Sequence, residues 1–168
     1  MTITNANYND ISLLVNKLHN SGCYFNVESD KIHIEANSRL LSIQNIETQP
    51  YPGFPTDLQA QVMALQTVSE GTSVITENLF ETRFKHVPEL IKLGARITLR
   101  DRMAIVRGVE SLSGAEVSAT DLRGGASLVL AGLVAKGQTI VDGIEFIDRG
   151  YPNLEEKLSS VGARIERV

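Results

Sequence analysis

A pattern that occurs twice in the sequence predicts one folding unit used twice. The tripeptides at 56–58 and 120–122 both read Thr-Asp-Leu, and each opens an apolar, alanine-rich run that closes at a glycine. A β-rich segment follows each run, and a helical pattern then ends in Gly-Ala-Arg-Ile at 94–97 and 162–165. Equivalent residues lie 64 to 68 positions apart. Self-similarity at a nearly fixed period indicates a repeated supersecondary unit, and the drift fits small loop insertions.

Within each unit, apolar spacing and end signals predict two helices. The four predicted helices span 57–70, 87–93, 121–136 and 152–161. Thr56 and Thr120 are the expected N-caps of the longer pair, and Gly71 and Gly137 the expected C-caps. Pro152 is expected as the first residue of the last helix, because proline is tolerated there.

The strands and the chain ends predict one incomplete domain. We expect a partial unit at 1–50 and two units at 51–110 and 111–168. Hairpins are predicted for 24–27 with 31–35 and for 96–99 with 104–106. The segment 164–168 reads as a strand without a returning partner. We therefore expect a partner in missing chain, or self-association through the unpaired edge.

Composition narrows the class of protein. The chain has 168 residues, 42% of them apolar and 21% charged, which suits one soluble domain. It lacks a run of about 18 apolar residues and a signal sequence, so we expect a cytoplasmic protein without a membrane span. The net charge of −4 disfavours nucleic acid. Cys23 is a predicted core residue, and the histidines at 19, 33 and 86 lack metal-ligand spacing, so neither a metal nor a cofactor is predicted.

The aspartates of the two Thr-Asp-Leu tripeptides are candidate site residues. Asp57 and Asp121 fall in the first turn of predicted helices, where an acid complements the helix dipole. That structural explanation accounts for each aspartate taken alone. The functional alternative is that two equivalent helix ends face one cleft that binds anions.

Three arginines accompany these aspartates. Arg83, Arg123 and Arg149 carry a planar guanidinium that suits bidentate binding of carboxylate or phosphate. Solvated or locally paired arginines are the structural alternative. The Gly-Gly pair at 124–125 fits neither common phosphate-loop pattern, so close helix packing is its expected role.

Four ordered motifs extend over most of the chain and resemble one family. They are YPGFPTDLQAQ at 51–61, FETRFKHVPEL at 80–90, ATDLR at 119–123 and DRGY at 148–151. The chain resembles the UDP-N-acetylglucosamine enolpyruvyl transferases (UDP-N-acetylglucosamine 1-carboxyvinyltransferases). The resemblance implies an α+β fold of repeated βαβαββ units, an inside-out α/β barrel that is truncated here.

The resemblance also implies an activity and site residues. The family moves the enolpyruvyl group of phosphoenolpyruvate to the 3-hydroxyl of UDP-N-acetylglucosamine, the committed step towards peptidoglycan, and needs no cofactor. Asp57 would contact that hydroxyl and act as its base, and Asp121 would assist proton transfer. The backbone around Leu79 would lie near the sugar nucleotide. Arg123 and Arg149 would bind phosphoenolpyruvate, with Arg149 also catalytic.

Arg83 is implied as a further substrate-binding residue, and several family features are absent. The reactive cysteine loop belongs to the family's other domain, and Cys23 does not match it. A Lys-Asn pair is also absent from the sequence. We therefore expect the segment alone to be inactive. Two alternatives are a non-catalytic binding or scaffold module with this fold and the related transferase that acts on shikimate 3-phosphate.

Overall fold

The N-terminal part of the molecule is a small antiparallel sheet with one helix. The structure is a computed structural model that describes residues 1–36 and 38–168. The sheet has the order β1-β3-β2, with β1 (Thr2–Thr4), β2 (Tyr24–Val27) and β3 (Lys31–Glu35). Helix α1 (Tyr8–Asn20) joins β1 to β2, and Gly22 follows it with a φ of +105°. The predicted 24–35 hairpin is confirmed, with Phe25 opposite Ile34.

The central part builds a four-stranded sheet with the order β4-β5-β7-β6. Its strands are β4 (Asn45–Glu47), β5 (Thr72–Thr76), β6 (Arg96–Arg100) and β7 (Met103–Arg107). Helices α2 (Gln59–Gln66) and α3 (Val87–Lys92) complete the order β-α-β-α-β-β. β4 and β5 are parallel, and the predicted β6–β7 hairpin is confirmed. This region therefore has the expected βαβαββ order.

The C-terminal part begins in the same way but forms a smaller sheet. Its elements are β8 (Glu116–Ser118), α4 (Leu122–Val134), β9 (Ile140–Asp142), α5 (Ile144–Asp148) and α6 (Leu154–Ser160). β8 and β9 pair in parallel, as β4 and β5 do. The two regions therefore share a parallel strand pair whose strands are joined through a helix.

The segment at 164–168 lacks a strand partner within the described residues, as the sequence predicted, and therefore forms no paired strand. These residues have no regular secondary structure. They and β9 both line a groove of about 780 Å³. A strand needs a hydrogen-bonded neighbour at about 4.8 Å, and none of the named strands pairs with them.

The starts of both long helices differ from the prediction. Thr56 is not an N-cap, because the chain enters a turn of 3-10 helix at Thr56–Leu58 from the extended Pro55, and its hydroxyl donates to Glu77. In the second copy Asp121, not Thr120, is the N-cap. Its extended backbone lets the Asp121 carboxylate accept from the Gly124 amide. Neither threonine is therefore the N-cap that the sequence predicted.

Other helix ends are also shorter than predicted. α2 ends at Gln66 rather than at residue 70, where hydrogen-bonded turns replace the last predicted helical turn. α4 ends at Val134, and Ala135 turns to an extended backbone before Gly137. Pro152 lies before α6, whose N-cap is the left-handed Asn153. Predicted ends commonly miss by such distances, because capping depends on neighbours distant in the sequence.

The core places α2 and α4 side by side. Both helices are buried over most of their length: α4 is apolar on nearly all sides, whereas α2 also buries Gln59 and Gln66. Met63 of α2 and Leu128 of α4 belong to one hydrophobic cluster with Ile75 of β5. A smaller cluster around Ile147 attaches α5 to α4. The adjacent helix starts bring the two Thr-Asp-Leu tripeptides close together.

Candidate functional site

One aspartate and two arginines form the centre of the candidate site. The Asp57 carboxylate accepts from Arg83 Nη2 at 2.9 Å through one oxygen and from Arg123 Nη2 at 2.8 Å through the other. The Asp57 side chain is 56% exposed, and those of Arg83 and Arg123 are 23% and 26% exposed. Two guanidiniums thus meet one carboxylate at a partly open surface. The cluster keeps one net positive charge.

The arginines change the acidity of Asp57. The hydrogen bond from Arg123, reinforced by the charges of both arginines, lowers the pKa of Asp57 below its usual value against the opposing effect of partial burial. The hydrogen bond to Asp57 in turn raises the pKa of Arg123. The main cause of the lowered pKa of Asp57 is the hydrogen bond from Arg123.

Tyr151 fixes the orientation of Arg123. The Tyr151 hydroxyl oxygen accepts from Arg123 Nη1 at 2.8 Å and from Gln61 Nε2 at 2.9 Å. The Arg123 guanidinium also lies 5.5 Å from the centre of the Tyr151 ring. Because Tyr151 follows α5 and Gln61 lies in α2, this network joins three elements around one guanidinium.

Arg83 is held by stacking and has a spare donor. Its guanidinium lies 5.0 Å from the centre of the Phe80 ring. A cation over an aromatic face is attracted by the ring quadrupole. Arg83 Nε is buried and has no hydrogen-bond partner among residues 1–36 and 38–168. A buried guanidinium N–H without an acceptor suits an anionic ligand.

Asp121 lies at the start of α4 with its carboxylate used as a cap. Asp121 Oδ1 accepts from the Gly124 amide at 2.8 Å. His86 is nearby, since a Cβ added to Gly124 would lie 2.9 Å from Asp121 Oδ2 and 3.0 Å from His86 Cβ. Asp121 is therefore close to His86, and in the sequence it lies just before Arg123. Its observed contact is a helix cap, the structural alternative considered for it.

Burial decides the charge of His86. The ring is 2% exposed, and neither ring nitrogen has a hydrogen-bond partner within the described chain. Burial lowers the pKa of His86 to about 4, against the opposing effect of the Asp121 carboxylate. The ring is therefore neutral at pH 7. Its prediction as a structural histidine agrees with this environment.

Arg149 does not join the Asp57 cluster directly. Its side chain is exposed, and its guanidinium lies 5.3 Å from the centre of the Phe146 ring. The neighbouring Gly150 packs against the Leu122 side chain, because an added Cβ would come within 2.8 Å of it. Arg149 is thus tied to the start of α4 through Gly150 and to Arg123 through Tyr151. It has no ion pair in the described ranges.

Leu79 lies at the exposed end of β5, in the loop at 78–81. Its amide donates to Glu77 Oε1 at 2.9 Å, so this N–H is already occupied. The side chains of Leu79 and Phe80 are exposed, and Phe80 lies under Arg83. The loop therefore borders the arginine cluster.

Sequence reasoning missed three residues of this region: Glu77, Tyr151 as an arginine partner, and Gln61. Tyr151 and Gln61 lay inside the quoted motifs, but no local pattern links them to Arg123. Glu77 looks like an ordinary acid at a strand end. Its burial appears only in three dimensions.

Cys23 and the glycine pair have the predicted structural roles. Cys23 is buried, and burial raises the pKa of its thiol. A Cβ added to Gly125 would approach Ala119 Cβ to 2.8 Å and Ile147 Cγ1 to 2.7 Å. These contacts confirm that the pair permits close helix packing. Among the helices described, none is long and apolar enough to cross a bilayer.

The fold and the sequence together define a family. The family model for EPSP synthase (3-phosphoshikimate 1-carboxyvinyltransferase) matches residues 1–158. The chain belongs to this family of enolpyruvyl transferases, and the predicted fold class is confirmed. The enolpyruvyl transferase NikO from Streptomyces tendae superposes with a TM-score of 0.84 at 29% identity, over 98% of this chain and 39% of that one. EPSP synthase from Acinetobacter baumannii has a TM-score of 0.76 at 19% identity, which supports the fold alone.

Curated relatives within the family carry a more specific name. UDP-N-acetylglucosamine 1-carboxyvinyltransferase 2 of Caldanaerobacter subterraneus subsp. tengcongensis is 47% identical over 168 residues, all of this chain and 40% of that protein. UDP-N-acetylglucosamine 1-carboxyvinyltransferase of Myxococcus xanthus is 56% identical over 154 residues, 92% of this chain and 36% of that protein. The chain thus spans about two fifths of the relatives it matches, and the predicted resemblance is confirmed.

Proposed function

We propose that this chain contributes part of the active site of an enzyme that transfers the enolpyruvyl group of phosphoenolpyruvate to the 3-hydroxyl of UDP-N-acetylglucosamine. The reaction would be the first committed step of peptidoglycan synthesis in the bacterial cytoplasm. The names of the curated relatives support the substrate. The observation that carries the proposal is the positively charged cluster of Asp57 with Arg83 and Arg123.

The arginines would bind phosphoenolpyruvate. This substrate carries a carboxylate and a phosphate, and guanidinium forks match both groups. Arg83 and Arg123 already converge on one carboxylate, and Arg83 Nε has a donor to spare. Arg149, exposed and tied to the same helix start, would supply the third cation. Guanidiniums that are preorganised lower the cost of charge that develops during transfer.

Asp57 would serve as the base that activates the sugar hydroxyl. In the arrangement described, both its oxygens accept from arginines, and its pKa is lowered. A substrate anion would draw the arginines away from Asp57, and the pKa of its carboxyl would then rise. The base would thus become stronger when phosphoenolpyruvate is bound. Asp57 would therefore not take the proton of the sugar hydroxyl before phosphoenolpyruvate is bound.

The remaining steps follow from the chemistry of the enol ester. The hydroxyl oxygen bonds to C2 of phosphoenolpyruvate as its proton passes to Asp57, and C3 takes up a proton with the assistance of Asp121. The resulting tetrahedral adduct then loses phosphate from C2 and a proton from C3, which restores the double bond. Asp121 would need to release its helix cap partly to act in this way, and the backbone around Leu79 would hold the sugar nucleotide.

We propose that the segment alone is inactive. Its candidate site is partly open, with Asp57 56% exposed, whereas such transfers need a site from which water is excluded. The chain spans about two fifths of its curated relatives, so the opposite wall would come from other sequence. The units at 51–110 and 111–168 would form one wall.

A chimera tests this proposal directly. The matched part of the Myxococcus xanthus relative is replaced by this chain, and phosphate release from phosphoenolpyruvate and UDP-N-acetylglucosamine is measured. We expect an active chimera and an inactive isolated chain. A folded but inactive chimera would favour the non-catalytic module instead. Activity of the isolated chain would overturn the proposal of an incomplete site.

A further inference from the structure

Glu77 is a buried acid whose carboxylate holds several segments together. It follows β5 directly and is 1% exposed. Glu77 Oε1 accepts from Thr48 Oγ1 at 2.8 Å and from the amides of Leu79 and Phe80 at 2.9 and 3.2 Å. Glu77 Oε2 accepts from Thr56 Oγ1 at 2.8 Å. Buried carboxylates occur where donors surround them, and four donors surround this one.

These contacts connect both parts of the candidate site that lie beside α2. One carboxylate oxygen fixes the loop that carries Leu79 and Phe80, and Phe80 lies under Arg83. The other oxygen fixes Thr56, the residue before Asp57. Within residues 1–36 and 38–168, no hydrogen bond joins the Glu77 carboxylate to Arg83 or Arg123. It therefore acts on the cluster only through the residues it holds.

The second copy of the folding unit has no acid at the equivalent position. After the parallel pair β4–β5, the Thr48 amide donates to the Thr76 carbonyl. After β8–β9, the Ala119 amide donates to the Asp142 carbonyl in the same way. The residues that follow Thr76 and Asp142 are therefore equivalent: Glu77 in the first copy and Gly143 in the second.

Gly143 packs directly against the backbone of Ala119. A Cβ at position 143 would lie 2.5 Å from the Ala119 carbonyl oxygen, and Gly143 has a φ of +75°. The same strand junction can thus close on a glycine. Because the folding unit does not require an acid there, stabilising the unit does not explain Glu77. The two groups that Glu77 holds both border the Asp57 cluster.

We propose that Glu77 is a positioning residue that sets the distance between the sugar-nucleotide loop at 78–81 and the Asp57 turn. This inference rests on the proposed function. A charged acceptor forms stronger hydrogen bonds than a neutral one, so Glu77 holds the loop in the geometry that receives substrate before substrate arrives.

Glu77→Gln in the chimera tests the proposal. The amide keeps the shape, its carbonyl can accept at the Oε1 position, and the Thr56 hydroxyl can turn to accept from its NH2 group. The charge is lost, and the hydrogen bond with Thr56 reverses its direction. The matched control is Glu110→Gln, the same change at an exposed side chain outside the candidate site. The Michaelis constants for both substrates and kcat are measured for each variant.

We expect Glu77→Gln to raise the KM for UDP-N-acetylglucosamine about tenfold, with the KM for phosphoenolpyruvate within about twofold of the control. A merely structural role would lower the active fraction and kcat while leaving both KM values unchanged. Equal KM values for Glu77→Gln and Glu110→Gln in an active chimera would overturn the positioning role and leave the proposed function standing.

Hydrogen exchange supplies a readout that does not depend on activity. We expect Glu77→Gln to speed exchange of the Leu79 and Phe80 amides about tenfold, with the Ile75 amide of β5 unchanged. Unchanged exchange at Leu79 and Phe80 would overturn the inference even if the unsubstituted chimera lacked activity. Such inactivity would by itself count against the proposed function only.

A second pair of variants tests the hydrogen bond between Thr56 and Glu77 by itself. It also tests the proposal if Glu77→Gln does not fold. Thr56→Val removes the donor to Glu77 Oε2, and Thr56→Ser keeps it. We expect Thr56→Val to lower kcat about tenfold and Thr56→Ser to restore it, with the exchange of Leu79 and Phe80 unchanged in both. Equal kcat values for the two variants would contradict a role of the hydrogen bond between Thr56 and Glu77.

Discussion

The two Thr-Asp-Leu tripeptides have the same sequence but different structures. In the first, a turn of 3-10 helix leaves the Asp57 carboxylate pointing at Arg83 and Arg123. In the second, Asp121 has an extended backbone, and its carboxylate caps α4. The same three residues thus give a charge cluster in one copy and a helix cap in the other.

The surroundings explain the difference. In the first copy Glu77 takes the Thr56 hydroxyl, and the extended Pro55 begins the helical turn before Asp57. In the second copy Gly143 has no side chain that could accept from Thr120, and the helix begins after Asp121. The helical backbone therefore begins at Thr56 in the first copy and only at Leu122, the equivalent of Leu58, in the second. Asp57 thus lies inside the helical turn, whereas Asp121 lies before it.

The largest effect should come from removing the base in the first copy. We expect Asp57→Asn to lower the turnover of the chimera about a hundredfold to ten-thousandfold, because an amide cannot take the hydroxyl proton. Phosphate release under saturating substrates measures it. Asp101→Asn, in the β6–β7 turn with a φ of +50°, is the matched control, since asparagine tolerates that backbone. Turnover equal to that of the control would exclude Asp57 as the base.

His86 allows a test of the contact between the two copies, because it lies near both Arg83 and Asp121. Its pKa falls from 6.5 to about 4 on folding, so the unfolded chain binds the proton first as pH drops. The free energy of unfolding should therefore decrease by about 3 kcal/mol as pH falls from about 6.5 to about 4. This loss of stability should be absent above about pH 6.5.

Urea unfolding at pH 7 and pH 4.5 measures this dependence. His86→Leu should abolish most of it, because leucine carries no group that titrates in place of the imidazole. His19→Gln, an exposed histidine at the end of α1, should leave it intact. If His86→Leu and the unsubstituted chain lose the same stability between these pH values, then His86 is not the group that titrates.

Gly125 probes how closely the second copy packs. Gly125→Ala should lower the free energy of unfolding by about 1–3 kcal/mol, because the new methyl meets Ala119 Cβ at 2.8 Å and neither group can rotate away. Gly132→Ala in the same helix meets the Thr139 side chain at 3.0 Å and should cost less. Equal unfolding midpoints for the two variants would contradict the tight contact at Gly125.

Sequence patterns predicted the helices and strands better than the ends of these elements and the contacts between them. The hairpins, α3, β5 and the family followed from periodicity and motifs that act over a few residues. The helix starts did not, because Thr56 is claimed by Glu77, 21 residues away. The segment at 164–168 stays unpaired within the described residues, as the absence of a returning strand predicted. Asp57 and Arg123 were named as candidates, but their direct contact depends on how α2 and α4 pack.

The smallest effect compares the two aspartates by stability alone. Asp121→Ala should lower the free energy of unfolding by about 1 kcal/mol, because the Gly124 amide loses its acceptor, and Asp121→Asn should restore it. Asp57→Ala should change it by only about 0–1 kcal/mol, since its ion pairs are partly exposed. Urea unfolding at pH 7 separates them. A larger loss at Asp57 than at Asp121 would mean that the charge cluster, and not the cap, stabilises the junction, and the division of roles between the two copies would then be reversed.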